Sequence, residues 1–139
     1  MALLARRDLP SGELRARLEE RGFGPAAVTA ALEVLAGEGS VNDERYARNH
    51  VAYHAARGQG PVRIAAQLRA LGLPQPLIEA AMDAVPDWAA LARAARIRSF
   101  GAAAPASWQA KARQARFLQY RGFSADHIRA ATGADPETD

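Results

Sequence analysis

The chain has 139 residues, the size of one ordinary domain, with 49% apolar residues, 24% charged residues and a formal net charge of +3. It contains no cysteine, which excludes disulfides and thiolate-based zinc sites, and no stretch approaches the ~18 uninterrupted apolar residues of a membrane span. The charges of Arg6 and Arg7 follow the short apolar run at the N-terminus, the wrong order for a secretory signal, so a cytoplasmic location is expected.

Helix boundaries are well marked along the chain. Residues 2–7 leave room only for a truncated or frayed leading helix. Ser11 is placed to cap a helix running to Arg21, and Gly22 to end it in a left-handed conformation. Gly24-Pro25 restarts the chain into a helix over 26–36, closed by Gly37 and Gly39. Asn42 or Asp43 caps a longer helix through Arg57, which Gly58-Gln59-Gly60 breaks. Pro61 suits the first turn of the next helix, which ends at Gly72. Pro74 and Pro76 open a helix over 75–85, and Asp87 caps another that ends near Gly101. Residues 102–106 read as a loop. Ser107 starts a helix to Arg121, Gly122 stops it, and Ser124 caps a last short helix to Thr132. Nothing alternates with a period of two for long enough to form a strand. The expected fold class is all-α.

A pattern repeats every fifty residues. Leu18, Gly22 and Phe23 return as Leu68, Gly72 and Leu73, then as Leu118, Gly122 and Phe123; Val28, Ile78 and Ile128 keep step, as do Ala31, Ala81 and Ala131. A fixed period with helical content marks a repeat architecture. Each copy places a helix, a glycine stop, a short turn and a second helix. Leu14 and Leu18, or Ile64 and Leu68, lie four apart on one helix face, and the residue after each glycine is expected to plug the corner. Two helices cannot enclose a core, so the helices over 43–57 and 87–100 are expected to lead the second and third copies. The plan is three tandem three-helix repeats in an elongated, curved array: 1–40, 41–86 and 87–133, with 134–139 a disordered tail. Alanine supplies much of the apolar content and aromatics only 6%, so the cores should be thin.

Catalytic signatures are lacking. The only lysine, Lys111, follows Ala110, so there is no phosphate loop of the Gly-rich, Lys-Ser/Thr kind. Gly58-Gln59-Gly60 is read as a helix stop. His50 and His54 have the i,i+4 spacing of a two-ligand metal clamp but lack a third ligand nearby, and are read as surface or interhelical hydrogen-bonding residues. No enzyme, cofactor or metal site is expected.

Charge is distributed unevenly. Residues 1–44 hold five arginines against eight acids, and residues 45–139 hold thirteen basic residues against seven acids. No acid stands between Arg45 and Ile78, nor between Trp88 and Ala125. Such stretches suit a polyanionic or acidic partner, or basic and acidic helices that pair with each other; the residues leave both open. The candidate surface comprises Arg45, Arg48, Arg57, Arg63 and Arg69 of the second repeat. In the third it adds Arg93, Arg96, Arg98, Lys111, Arg113, Arg116, Phe117, Tyr120 and Arg121. Arg113, Arg116, Phe117 and Tyr120 fall within one helical arc away from Leu118; Phe117 and Tyr120 either stack on a ligand or pack on a neighbouring helix. The glycine-cornered helix pairs resemble helix-turn-helix geometry, yet their second helices begin with Pro25-Ala26-Ala27, Pro74-Gln75-Pro76 and Ser124-Ala125-Asp126. Those residues do not suit base reading in a duplex, although non-specific DNA binding through arginines remains open.

Several stretches together resemble the RecX family, regulators of the RecA recombinase: "ALLARRDLPSGELRARL", "VNDERYARNHV", "RGQGPVRIAAQLRALGL", "DWAALARAARIRSFG" and "KARQARFLQYRGFSADHI". The resemblance spans nearly the whole chain. It implies a curved array of three three-helix repeats that binds, as a monomer, along the groove of RecA filaments on single-stranded DNA. It further implies suppression of RecA's ATPase, strand exchange and coprotease activities by blocked extension or promoted disassembly, with weak direct contact to the single strand. Family members often carry a longer segment before the "LLARRD" stretch, and contacts made by that segment are expected to be missing here.

Overall fold

Short polar residues, prolines and glycines set the ends of each helix. A computed structural model describes residues 9–134. Among them are eight helices and no strand: α1 (Ser11–Glu20), α2 (Pro25–Gly37), α3 (Asp43–Ala56), α4 (Pro61–Ala70), α5 (Gln75–Asp83), α6 (Trp88–Phe100), α7 (Trp108–Arg121) and α8 (Ala125–Thr132). The expected leading segment over 2–7 lies outside the described residues.

Four side chains cap helices by accepting from a backbone amide three residues on. Asn42 accepts from Arg45 N at 2.9 Å, Asp87 from Ala90 N at 3.0 Å, Ser107 from Ala110 N at 3.0 Å and Ser124 from His127 N at 3.4 Å. Ser11 does not cap α1, because Pro10 holds that position. Its amide and hydroxyl instead donate to the two carboxylate oxygens of Asp43, at 2.8 and 2.6 Å, tying α1 to the start of α3. The other helix ends repeat with the sequence. Gly22, Gly72 and Gly122 have φ of +91°, +84° and +96°, and the amide after each returns to a carbonyl five residues back: Phe23 to Leu18, Leu73 to Leu68, Phe123 to Leu118. The helix expected over 75–85 stops at Asp83.

The apolar faces close into three cores. Leu9, Leu14, Val28, Leu32 and Val41 form the first. The second joins Ala47, Val51 and Ala55 of α3 to Ile64 and Leu68 of α4, Leu73, and Ile78 and Ala81 of α5. The third joins Ala92 and Ala95 of α6 to Ala115 and Leu118 of α7, then Phe123, Ile128 and Ala134. The period-fifty residues Val28, Ile78, Ile128, Leu68 and Leu118 are at most 1% exposed. Burying each such side chain contributes about 1.5–3 kcal/mol. Trp88 and Leu91, in the first turn of α6, pack against both the second and third cores and brace one unit on the next.

Two expectations fail at the ends. Leu73 and Phe123 plug their corners, but Phe23 stays 53% exposed. Leu73 and Phe123 share their cores with residues of the leading helices α3 and α6, and no leading helix contributes to the first core among the described residues. Ala134, expected in the tail, is buried, with its amide donating to Thr132 Oγ1 at 3.1 Å.

Candidate polyanion-binding surface

The turn between α3 and α4 docks on the glycine corner between α7 and α8. Gly60 N donates to Arg121 O at 2.8 Å and Val62 N to Gly122 O at 2.9 Å. A β-carbon on Gly60 would stand 2.5 Å from the Gly122 carbonyl, and one on Gly122 would run into Arg63 Cβ. Gly58-Gln59-Gly60 is thus both a helix stop and a docking element. A looser counterpart lies fifty residues earlier, where a β-carbon on Gly12 would stand 3.2 Å from Leu71 O.

Guanidinium groups gather at the tight joint. Arg121 Nη2 donates to Arg57 O at 2.8 Å, and Arg63 Nη1 to Tyr120 O at 3.2 Å. A β-carbon on Gly58 would stand 3.0 Å from Arg121 Nη2 and 3.7 Å from Arg98 Nη1, so α6 and α7 each bring a cation to the second unit's turn. Arg57 stacks over Tyr53, 3.6 Å from guanidinium carbon to ring centroid. Among the described residues no acid pairs with Arg57, Arg63, Arg98 or Arg121; the ion pairs Arg17–Glu13 and Arg129–Asp126 stay within single helices. Cations that saturate carbonyls but meet no carboxylate leave a positive field at the surface, which favours an anionic ligand.

The remaining candidates separate by burial. Arg48, Arg69, Arg93, Arg113, Arg116 and Tyr120 are exposed, and Arg45 and Lys111 half-buried. Arg69 Nε donates to Gln75 Oε1 at 3.2 Å. Phe117 packs edge-on against Phe100, ring centroids 5.2 Å apart, so of its two readings packing is the one realised, whereas Tyr120 is 80% exposed. Arg96 is not on the surface at all. It is 6% exposed, and its Nη1 donates to Ala103 O at 3.2 Å, bracing the loop before α7.

Of the two α3 histidines expected at the surface or in interhelical hydrogen bonds, His50 takes the second role. His50 Nε2 hydrogen-bonds Gln67 Oε1 at 2.9 Å, and Gln67 Nε2 donates to Gln59 Oε1 at 3.0 Å, so the imidazole joins α3 to α4 and to the docked turn. Burial, followed by the charges of His50, Arg57 and Arg63, holds His54 below its usual pKa of 6.5. Among the described residues no third ligand completes a metal site with this pair.

An array of small three-helix units with an uncompensated cationic joint defines a helical-repeat interaction protein. Comparison with known proteins gives it a family. The RecX second three-helix domain matches residues 42–82, and the RecX third three-helix domain matches residues 87–132. The regulatory protein RecX of Halorhodospira halophila is 47% identical over 140 residues, spanning 100% of this chain and 87% of the relative. That of Pseudomonas savastanoi pv. phaseolicola is 40% identical over 129 residues, spanning 92% and 83%. A crystal structure of RecX from Lactobacillus salivarius superposes with a TM-score of 0.81 at 18% identity, covering 94% of this chain and 87% of that one. A second crystal structure of regulatory protein RecX gives 0.76 at 20% identity, covering 94% and 66%. At those identities the structures speak for the fold, and the sequence relatives carry the family. The chain belongs to the RecX family. Among the described residues no helix is long and apolar enough to cross a membrane.

Proposed function

We propose that this chain is a negative regulator of RecA in the cytoplasm. As a monomer it binds in the groove of RecA filaments on single-stranded DNA and inhibits ATPase, strand exchange and coprotease activity by blocking extension or promoting disassembly. It works by binding and not by a reaction of its own. The three repeats form an elongated bow that follows the filament. The observation that carries this reading is the joint at Gly60 and Gly122, where cations of two units face outward without carboxylate partners. A groove walled by nucleoprotein presents acidic protein surface and phosphate together, and both attract such cations.

Rigidity matters as much as charge. Backbone bonds and the absence of any side chain between Gly60 and Gly122 fix the second unit against the third. Contacts made by each unit to a successive protomer therefore act at high effective concentration, and many modest contacts sum to tight binding. A stiff ligand that bridges neighbouring protomers resists the rotation the ATPase cycle requires.

Exposed arginines and Tyr120 also support direct, non-specific contact with the single strand. A salt titration separates the two modes. Binding to RecA-coated single strands is expected to exceed binding to naked strands at every salt concentration, with the naked-strand complex showing the steeper salt dependence. Equal affinity for coated and naked strands would reduce the protein to a DNA binder acting without RecA.

A further inference from the structure

A groove of about 580 Å³ lies between α1 and α3, close to the cationic joint. Its wall on α3 is a run of rings: Tyr46, His50, Tyr53 and His54, with Asn49 between them, and Glu13 of α1 stands opposite. Ring centroids are 5.8 Å apart for Tyr46 and His50, 4.3 Å for His50 and His54, and 5.0 Å for Tyr53 and His54. The run is held in place, because Gln67 fixes His50 and Gln59 fixes Gln67. At its end Tyr53 lies under Arg57, whose carbonyl receives Arg121. Flat faces thus continue directly into guanidinium groups.

We infer that this groove seats one unstacked base of a single-stranded nucleic acid, with the adjoining phosphates on the joint formed by Arg57, Arg63, Arg98 and Arg121. Aromatic walls stack a base whatever its identity, cations track the backbone, and the exposed Asn49 amide offers a donor and an acceptor to a base edge. A groove of this volume accommodates a nucleoside. An acidic peptide would use the arginines but leave the rings idle, whereas Glu13, paired with Arg17 at 3.0 Å, can also accept from a base N–H. The inference deepens the proposed function, in that it rests on a ligand containing single-stranded DNA.

The test compares labelled oligothymidylate with an abasic oligodeoxynucleotide of equal length, by anisotropy on the full chain without RecA. The base-bearing strand should bind at least about fivefold tighter, the low end of what one base–aromatic stack provides. Tyr53→Ala should remove that preference, and Tyr53→Phe, which keeps a ring under Arg57, should restore it. Arg57→Gln with Arg121→Gln should weaken both strands alike and flatten the salt slope. Should Tyr53→Ala fail to fold, Asn49→Ala replaces it, with a partial loss of preference expected. Equal affinity for the two strands overturns the inference, as does a preference that survives Tyr53→Ala. Displacement by polyglutamate as effective as by unlabelled oligothymidylate also overturns it, and assigns the groove to acidic peptide. RecA inhibition by the unmodified chain is measured separately, so the base seat and the regulatory function can fail independently.

Discussion

Gly60 and Gly122 meet backbone to backbone across two units of the array, and neither position has room for a β-carbon. Gly72, the period-fifty counterpart of Gly122, shares its left-handed conformation at φ +84°, but nothing lies within 4 Å of the place its β-carbon would take. The pair separates conformational strain from packing. Gly72→Ala is expected to cost about 1–2 kcal/mol through the left-handed backbone alone. Gly122→Ala adds a collision with Arg63 and should cost about 3 kcal/mol or more. Urea unfolding of the two variants decides it; equal costs would mean the joint is loose.

Arg96 gives the opposite kind of contrast. It is buried, with Nε lacking a partner and Nη1 on a loop carbonyl, so its charge has no carboxylate to offset desolvation. Arg96→Ala should destabilise by about 2 kcal/mol or more, through the cavity and the lost brace on Ala103. Arg96→Met refills the volume without the charge and should recover most of that stability. Calorimetry of both variants tests this, and a neutral Arg96→Ala would place the side chain at the surface after all.

How much of this was legible beforehand depended on distance along the chain. Glycine stops, caps and the Leu–Gly–Phe echo are local signals, and helices and cores followed them closely. The docking of Gly60 on Arg121 joins residues sixty-one apart and has no local signature. Arg96 looked equivalent to Arg93 and Arg98, yet it lies four residues after Ala92 and one after Ala95, both buried, so helical phase already placed it inward. Ser11 has the usual capping side chain, but Pro10 takes the cap position, and the Ser11 amide and hydroxyl go to Asp43 of another unit. Tyr53 and Arg57 stand four apart, a spacing that allows the stacked pair, but the groove that Tyr53 borders also needs Leu9 and Glu13, from another unit, and has no local signature.

His54 makes stability depend on pH in one direction. Its folded pKa is lowered, by burial first and then by His50, Arg57 and Arg63, so the unfolded chain binds a proton more readily than the folded one. The contribution is therefore fully present above pH 6.5 and is lost as pH falls from there through the folded pKa. The melting temperature should fall between pH 7 and pH 5, and His54→Gln should flatten that decline. An unchanged slope in the variant would remove His54 from the titration.

Arg113 and Arg116 are both exposed on α7, in the acid-free stretch of the third unit. Reversing both to Glu should abolish inhibition of RecA while changing stability by no more than about 0.5 kcal/mol per site. Helicity and melting temperature report the second half of that statement. Loss of folding would show that these side chains serve the architecture and not the partner.

RecA's ATP hydrolysis on single-stranded DNA, titrated with this protein, bears most directly on the regulatory reading. Inhibition at fewer than one molecule per RecA protomer is expected, since a bound bow arrests neighbours it bridges. Hydrolysis that continues unchanged at a tenfold molar excess would contradict it.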